Sequence, residues 1–237
     1  SGDLNADGIA NVGDASTLLA VQMNTVHGNT AKHFVLKNII FKNAFVNEAS
    51  KAALKIDNSG WVDVENCDFE GNVSAYQTGS DYGGAACWSY RSTVNFSDCK
   101  FGAIKLTSNA GTKGYTTLNR CQIYDNEAQV MGSAIFLHHG VKLDIINTTI
   151  TGNKSGTEGE VAAVFAIGSD GTYARQITII NSTIAGNTGG AQILGREKAD
   201  IRLANSIVVG EGDNPAILIA TNSVPKAPKQ LLSAGYN

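Results

Sequence analysis

Apolar residues return to the same relative positions many times along this chain, with the spacing of strands in a repeat. Counted from an asparagine-like anchor, the residues four and two positions before it and three positions after it are apolar in almost every copy. The anchors are Asn38, Asn66, Asp98, Arg120, Asn147, Asn181 and Asn205. They stand about 28 residues apart on average, and a period of this length predicts a solenoid. The alternation before each anchor predicts a strand with one face toward a shared interior.

The inward-facing pattern slips by one residue at each anchor, which predicts a bend in the chain there. Asparagine tolerates the left-handed backbone conformation and can hydrogen-bond to like copies above and below it. The sequence therefore predicts a structural ladder of asparagines at the anchors. Asp98 and Arg120 interrupt this ladder, and we expect them to pair with each other.

Three of the four cysteines share the position one residue after an anchor. They are Cys67, Cys99 and Cys121, in adjacent repeats, and the later repeats hold Thr or Ser at this position. Neighbouring strands lie about 4.8 Å apart, so we predict that the three side chains line up inside the coil as free thiols. A disulfide between neighbours demands a specific geometry and stays the alternative.

A second strand recurs in the repeats and indicates which residues face outward. Its copies are Ala53-Leu-Lys-Ile, Ala85-Ala-Cys-Trp, Ala103-Ile-Lys-Leu, Ala134-Ile-Phe-Leu, Ala191-Gln-Ile-Leu and Ala216-Ile-Leu-Ile, while the register of a copy at 163–166 stays open. Alternation predicts an outward column of Lys55, Cys87, Lys105, Phe136, Ile193 and Leu218. Because its later members are apolar, the column predicts an exposed apolar stripe.

Both strand patterns together predict an all-β fold, a right-handed parallel β-helix of about seven coils. The β-helix is expected over residues 30–222, between a first segment at 1–24 and a tail at 223–237 that has no place in the coil pattern. Low aromatic content (7%) and 26 glycines favour such a turn-rich β architecture. A net charge of −3 argues against a nucleic-acid partner. No apolar stretch approaches the roughly 18 residues of a membrane span, so we expect a soluble protein.

The first segment has the oxygen-rich spacing of a calcium-binding loop. Hard cations such as Ca²⁺ take six or more oxygen ligands, and alternate acidic or amide residues point theirs inward. Gly8 allows the sharp turn that such a loop needs. The predicted ligands are the side chains of Asp3, Asn5, Asp7, Asn11 and Asp14 and the carbonyl of Ile9.

This loop, closed by Asp14 where an EF-hand usually has Glu, resembles a dockerin module. The resemblance covers residues 1–24 and implies a helix from Ala15 to Met23, whose Leu18, Leu19 and Val21 would cap the β-helix. Dockerins carry two such loop-helix segments and bind cohesin modules. Only one segment is present here, so a cohesin partner is not carried over.

The coil motifs resemble those of known surface proteins. Gly83-Gly84-Ala85 and the Phe69-Glu-Gly-Asn type of turn are similar to repeats of the polymorphic outer membrane protein family and of bacterial right-handed β-helix surface proteins. The Asn205-Ser-Ile-Val stretch is similar to choice-of-anchor modules. The resemblance covers residues 33–221 and implies an extracellular or cell-surface protein with a passenger or adhesive role.

The enzyme hypothesis has weak support in the sequence. His138-His139-Gly140 is similar to a His-Gly element of polygalacturonases, yet the paired Asp and Arg-x-Lys partners are missing. A solvated strand end is the simpler interpretation of His139. We therefore predict no catalytic residue.

Aromatic residues near charges offer a candidate carbohydrate-binding region. Tyr76, Asp81 and Tyr82 fall in one long loop, and Trp88, Tyr90 and Arg91 follow it. In the alternative interpretation, Trp88 simply fills the core at an inward position of its strand.

The sequence thus favours an extracellular structural or surface protein: a spacer, an adhesin or a self-assembling fibre subunit. Self-association is expected through the outer stripe, the open coil end near Ile217 and Ile219, or the tail, and a glycan or cell-surface molecule is a second candidate partner. A polysaccharide-binding or polysaccharide-degrading β-helix protein, lyase or hydrolase, is the alternative function.

Overall fold

Short strands build three long parallel sheets in the computed structural model of this chain. It describes residues 17–25, 29–46, 51–74, 85–101, 104–107, 114–128, 132–138, 140–155, 160–167, 175–196, 199–220 and 230–233. Within these ranges the regular structure is all β, with no helix, and successive copies of each strand pair in parallel. The fold is therefore of the parallel β-helix or solenoid type. Its right-handed winding and its seven coils stay predictions.

Sheet A is formed by the second strand of the sequence repeat and has eight members. Its strands are β1 (Leu19–Gln22), β5 (Leu54–Asp57), β9 (Cys87–Tyr90), β12 (Ile104–Thr107), β16 (Ile135–His138), β20 (Glu160–Ile167), β23 (Gly190–Arg196) and β26 (Ile217–Ala220).

Sheet B contains the strands that precede the anchors and also has eight members. Its strands are β2 (His33–Lys37), β6 (Trp61–Glu65), β10 (Thr93–Ser97), β13 (Gly114–Asn119), β17 (Val141–Ile146), β21 (Arg175–Ile180), β24 (Ala199–Ala204) and β27 (Gln230–Ser233).

Sheet C contains the strands that follow the anchors, and two small sheets lie between sheets C and A along the chain. Sheet C consists of β3 (Ile40–Lys42), β7 (Asp68–Glu70), β11 (Lys100–Phe101), β14 (Gln122–Tyr124), β18 (Thr149–Thr151), β22 (Thr183–Ala185) and β25 (Ile207–Val208). The small sheets pair β4 (Phe45–Val46) with β8 (Val73–Ser74) and β15 (Glu127–Ala128) with β19 (Lys154–Ser155).

Columns of like residues fill the interior, as the repeat predicts. Phe41, Phe69 and Phe101 of sheet C stack with ring centroids 4.8 and 4.9 Å apart. Phe96 of sheet B meets Phe101 edge-on at 4.9 Å, and all four rings are buried. The core is thus a continuous aromatic and aliphatic stack shared by successive coils.

All seven anchors have a left-handed backbone, which confirms the predicted bend. Their φ angles lie between 49° and 58°. The predicted pair is also confirmed: Arg120 donates two hydrogen bonds to Asp98, from Nε to Oδ1 at 2.8 Å and from Nη2 to Oδ2 at 2.7 Å. Asn66 Nδ2 donates to the anchor Asn38 Oδ1 at 2.8 Å, whereas Asn147 Nδ2 donates to Asn119, the residue before the anchor Arg120, at 3.3 Å.

The buried asparagine ladder lies six residues after the anchors, not at them. Asn126 donates to Asn153 at 2.6 Å, Asn153 to Asn187 at 2.7 Å, and Asn187 to Gln192 at 2.7 Å. Asn153 also donates to the backbone carbonyl of Ile123 in the preceding coil, at 3.0 Å. Asn153, Asn187 and Gln192 are fully buried, so this ladder satisfies polar backbone groups at an interior corner.

The three aligned cysteines lie inside the coil as free thiols, as predicted. Cys67, Cys99 and Cys121 are all buried. Their column continues through Thr148, whose Oγ1 accepts a hydrogen bond from the Cys121 N–H at 3.2 Å. The hydrogen bond to the Cys121 sulfur, aided by burial, raises the pKa of Cys99 to about 12. The same sulfur contact lowers the pKa of Cys121.

Two predictions at the ends of the repeat are wrong. Residues 19–22 form the strand β1, which pairs with β5. They are not part of a capping helix. Residues Leu19–Gln22 extend sheet A because their N–H and C=O groups pair with the open edge of β5. At the other end, the tail does enter the coil pattern: residues 230–233 form β27 and continue sheet B beside β24.

Candidate functional site on the outer face of sheet A

Sheet A is bordered by the variable connections of the repeat. The same two-residue corner, an anchor and its successor, joins each of the first seven sheet B strands to the next sheet C strand. Before sheet A the connection ranges from two residues, ahead of β12, to twelve, ahead of β9. After sheet A it ranges from two residues, behind β9, to ten, behind β1. Because connections carry most binding functions in repeat scaffolds, the outer face of sheet A is the first candidate for a binding surface.

The register of sheet A corrects two members of the predicted outward column. Leu54 pairs with Cys87, and Lys55 pairs with Trp88. Cys87 is therefore inward and fully buried, while Trp88 lies on the outer face, so Trp88 does not fill the core either. Ile193 is likewise inward, and Leu194 takes its place outside.

The apolar stripe is present, but it is not exposed as the sequence predicts. Phe136, Phe165 and Leu194 form a hydrophobic cluster separate from the main core, and all three are buried. The Phe136 and Phe165 rings are 5.5 Å apart, and the guanidinium carbon of Arg196 lies 5.5 Å from the Phe165 centroid. Of the predicted stripe, Leu218 is exposed. From β16 to β23 the outer face of sheet A thus carries an apolar layer that is buried within the chain.

Near β9 two aromatic rings of the same face hold two cations. Lys55 Nζ lies 5.2 Å from the centroid of the Trp88 ring, and Arg91 Cζ lies 4.9 Å from that of Tyr90. The two rings stack on each other at 5.6 Å with an interplanar angle of 17°. Trp88 is only 6% exposed, whereas Lys55, Tyr90 and Arg91 are half-buried. We call Lys55, Trp88, Tyr90 and Arg91 the aromatic-cation cluster.

No carboxylate neutralises this cluster among the described residues. Asp57 lies beside Tyr90 on the neighbouring strand, but its Oδ1 accepts a hydrogen bond from Asn58 Nδ2 at 2.7 Å instead. Arg91 Nε is buried and has no hydrogen-bond partner there. Each cation is therefore held by an aromatic ring, an attraction worth about 0.5–2 kcal/mol, and both remain available to an anion.

A second stacked pair repeats this arrangement two strands away. The Phe136 and His138 rings of β16 stack at 5.9 Å and 19°. In the register of sheet A, β12 alone separates β16 from β9, which places the two pairs roughly 9.6 Å apart. His139 lies outside the described residues. Phe136 is buried and His138 is half-buried, so a ligand that follows the helix axis would meet Tyr90 and His138.

Several predicted site residues lie outside the described part of the chain. These are the calcium ligands Asp3, Asn5, Asp7, Ile9, Asn11 and Asp14 and the loop residues Tyr76, Asp81 and Tyr82. Within the described ranges, no group of three or more His, Cys, Asp or Glu residues is arranged to hold a metal ion. The same ranges contain no helix long and apolar enough to span a membrane.

The fold and the site together define a parallel β-helix or solenoid-type protein with an aromatic-cation cluster on one sheet. Comparisons with protein-family models, with curated proteins and with solved structures find no match to this chain.

Proposed function

We propose that this chain is an extracellular structural protein, a rigid rod that stacks end to end with further copies of itself. The outward column of sheet C supports the proposal most directly, because it is polar along its length and apolar only at its two terminal strands. The column contains Ile40, Asp68, Lys100, Gln122, Thr149, Thr183 and Ile207. Ile40 and Ile207 are each 59% exposed.

Stacking would pair β26 and β27, the terminal strands of sheets A and B, with β1 and β2 of the next copy. Sheet C has one strand fewer, so β25 and the next copy's β3 then lie two strand spacings apart, roughly 9.6 Å. Ile207 and Ile40 thus face each other across the same end contact. A head-to-tail contact of this kind does not close on itself and therefore builds a rod.

Opposite charges at the two ends favour the same contact. The described residues of the first coil contain three lysines and no acid, and Lys32 is left without a carboxylate because Lys37 and Lys42 pair with Glu65 and Glu70 of the second coil. Near the other end, residues 199–220 contain Glu211 and Asp213 in addition to the ion pair of Asp200 with Arg202. Complementary charge steers two surfaces together and fixes their register.

Calcium and location complete the proposal. The hard oxygen donors Asp3, Asn5, Asp7, Asn11 and Asp14 suit Ca²⁺, which would order the N-terminal segment. We expect isothermal titration of the full chain to give binding at millimolar calcium or below, and Asp7→Ala to remove it. No heat of binding from the unsubstituted chain would exclude the site. The extracellular location rests on the resemblance to surface β-helix proteins.

Sedimentation velocity of the full chain tests the stacking. We expect concentration-dependent oligomers, seen as rods by electron microscopy, and their loss in Ile207→Lys. Gln122→Lys places the same charge in the middle of the same column and should leave assembly unchanged. An unsubstituted chain that stays monomeric at high concentration, or equal loss in both variants, would exclude the proposed contact.

A further inference from the structure

Two arginines occupy left-handed corners of this fold, and only one of them has a structural explanation. Arg91 has φ 49° and Arg120 has φ 54°. A left-handed conformation is uncommon for arginine and common for asparagine. At the corresponding corner of the preceding coil, directly after β5, the chain has Asn58, with φ 43°. Arg120 forms the two-point ion pair with Asp98 in the preceding coil. Arg91 has no such partner.

The contacts of Arg91 within the chain do not explain why this corner has an arginine. Its Nε is buried without a hydrogen-bond partner among the described residues, and a buried unsatisfied donor is unfavourable. An asparagine would fit the backbone without that cost. The stacking of Arg91 on Tyr90 offsets the cost only in part, because cation–π contacts at partly exposed sites are weak.

The cations of the other two sheets show the contrast. Lys37, Lys142 and Arg202 on sheet B lie 2.8, 3.1 and 2.7 Å from the carboxylates of Glu65, Asp144 and Asp200. Lys42 and Lys100 on sheet C approach Glu70 and Asp68 within 4.0 Å. In the described part of sheet A, Lys55 and Arg91 have aromatic neighbours and no carboxylate.

We propose that the aromatic-cation cluster of Lys55, Trp88, Tyr90 and Arg91 binds a carboxylate-bearing polysaccharide through its half-exposed members Lys55, Tyr90 and Arg91. The aromatic rings hold the two cations in place, so little side-chain entropy is lost when an anion binds them. Half-exposed Tyr90 lies between the cations and offers an apolar surface with a polar tip, which suits a sugar ring. A nucleic acid is disfavoured as the polyanion by the net charge of −3.

This inference is independent of the end-to-end stacking, because the face of sheet A is not part of the proposed end contact. Binding can therefore be measured on the Ile207→Lys variant as well as on the unsubstituted chain. Equal affinity in both would show that polysaccharide binding does not depend on end-to-end stacking.

The test uses two ligands with the same sugar backbone, polygalacturonate and its methyl ester, in which each charged carboxylate is replaced by a neutral ester. We expect calorimetry of the full chain to show binding of the acid form, weakened by added salt, and little binding of the ester. Arg91→Asn should weaken the binding by about tenfold, and Lys55→Gln should weaken it by a smaller factor.

Arg120→Asn is the matched control, because it makes the same substitution at an equivalent left-handed corner away from the cluster. It should leave the affinity unchanged, and circular dichroism should show that all variants fold. The proposal is overturned by any of three results: no binding of polygalacturonate at low salt, equal binding of the ester, or equal loss in Arg91→Asn and Arg120→Asn.

Discussion

The two tryptophans of the chain lie on different sheets and have opposite surroundings. Trp61, on the outer face of sheet B, donates from Nε1 to Asp63 Oδ1 at 2.9 Å, and Asp63 also accepts from His33 and Asn95 at 2.7 and 2.9 Å. Trp88, on the outer face of sheet A, has Lys55 over its ring and no carboxylate beside it. These polar groups of sheet B thus pair with each other, whereas Lys55 and Trp88 of sheet A have no carboxylate partner among the described residues.

The connections of the chain follow the same division. The corner from sheet B to sheet C keeps one length throughout, whereas the connections on both sides of sheet A vary. A regular, internally paired face serves the stability of the solenoid. A face with unpaired cations between connections of variable length is better suited to binding. Sheets B and C therefore form the scaffold, and sheet A carries the candidate site.

The largest expected effect concerns Cys87, since its position decides which side of β9 faces outward. Burial raises the pKa of the Cys87 thiol, so the thiolate that reacts with maleimide is scarce at about pH 8. We expect no labelling of Cys87 in the folded chain and complete labelling after unfolding, measured by peptide mass spectrometry. Fast labelling of folded Cys87 would reverse the register and remove Trp88 from the outer face.

A smaller effect is expected from removal of each tryptophan. Trp88 is almost completely buried, so Trp88→Ala should lower the free energy of unfolding by about 3–5 kcal/mol. Trp61 is half-exposed, and Trp61→Ala should cost about 1 kcal/mol. Urea denaturation of both variants measures the difference. Equal losses would contradict the burial of Trp88 on sheet A.

The smallest effect separates the two corner arginines by pH. The Arg120 guanidinium lowers the pKa of Asp98, so this pair stabilises the fold above the ordinary pKa of aspartate. That contribution is lost as the pH falls through the lowered pKa. Relative to the unsubstituted chain, Arg120→Asn should therefore lose stability near neutral pH and regain parity in acid, as measured by thermal unfolding.

Arg91→Asn should show no such pH-dependent difference, because Arg91 has no carboxylate partner in the described chain. If the stability of both variants depended on pH in the same way, Arg91 would also stabilise the fold through an ion pair. That result would contradict the difference between sheets A and B.

The solenoid could be predicted from sequence because its period is carried by local chemistry. Asparagine at the anchors suits a left-handed corner. Before each anchor apolar and polar residues alternate, so only the apolar side of the strand can face the interior. The same logic placed Cys67, Cys99 and Cys121 inside. The asparagine ladder was assigned to the wrong corner, because the sequence does not distinguish an exposed turn from a buried one.

The register of sheet A could not be obtained in this way. Two consecutive alanines, Ala85 and Ala86, precede Cys87, and alignment on the first of them shifts β9 by one residue. A one-residue shift exchanges the two faces of a strand, so the sequence alone leaves Trp88 either in a carbohydrate-binding region or at an inward position of the core. In β23, Gln192 occupies the position that has alanine in the other copies of this strand. The sequence therefore does not reveal the same one-residue shift at Ile193. The predicted helix failed because residues 19–22 find a strand edge to extend.

Fluorine NMR of the chain labelled with fluorotryptophan tests the division between the sheets most directly, because the sequence contains two tryptophans, one on each face. Trp61→Phe assigns the two resonances. On titration with polygalacturonate we predict that the Trp88 resonance shifts and the Trp61 resonance stays in place. A shift of Trp61 with Trp88 unchanged would place the ligand on sheet B and contradict the account.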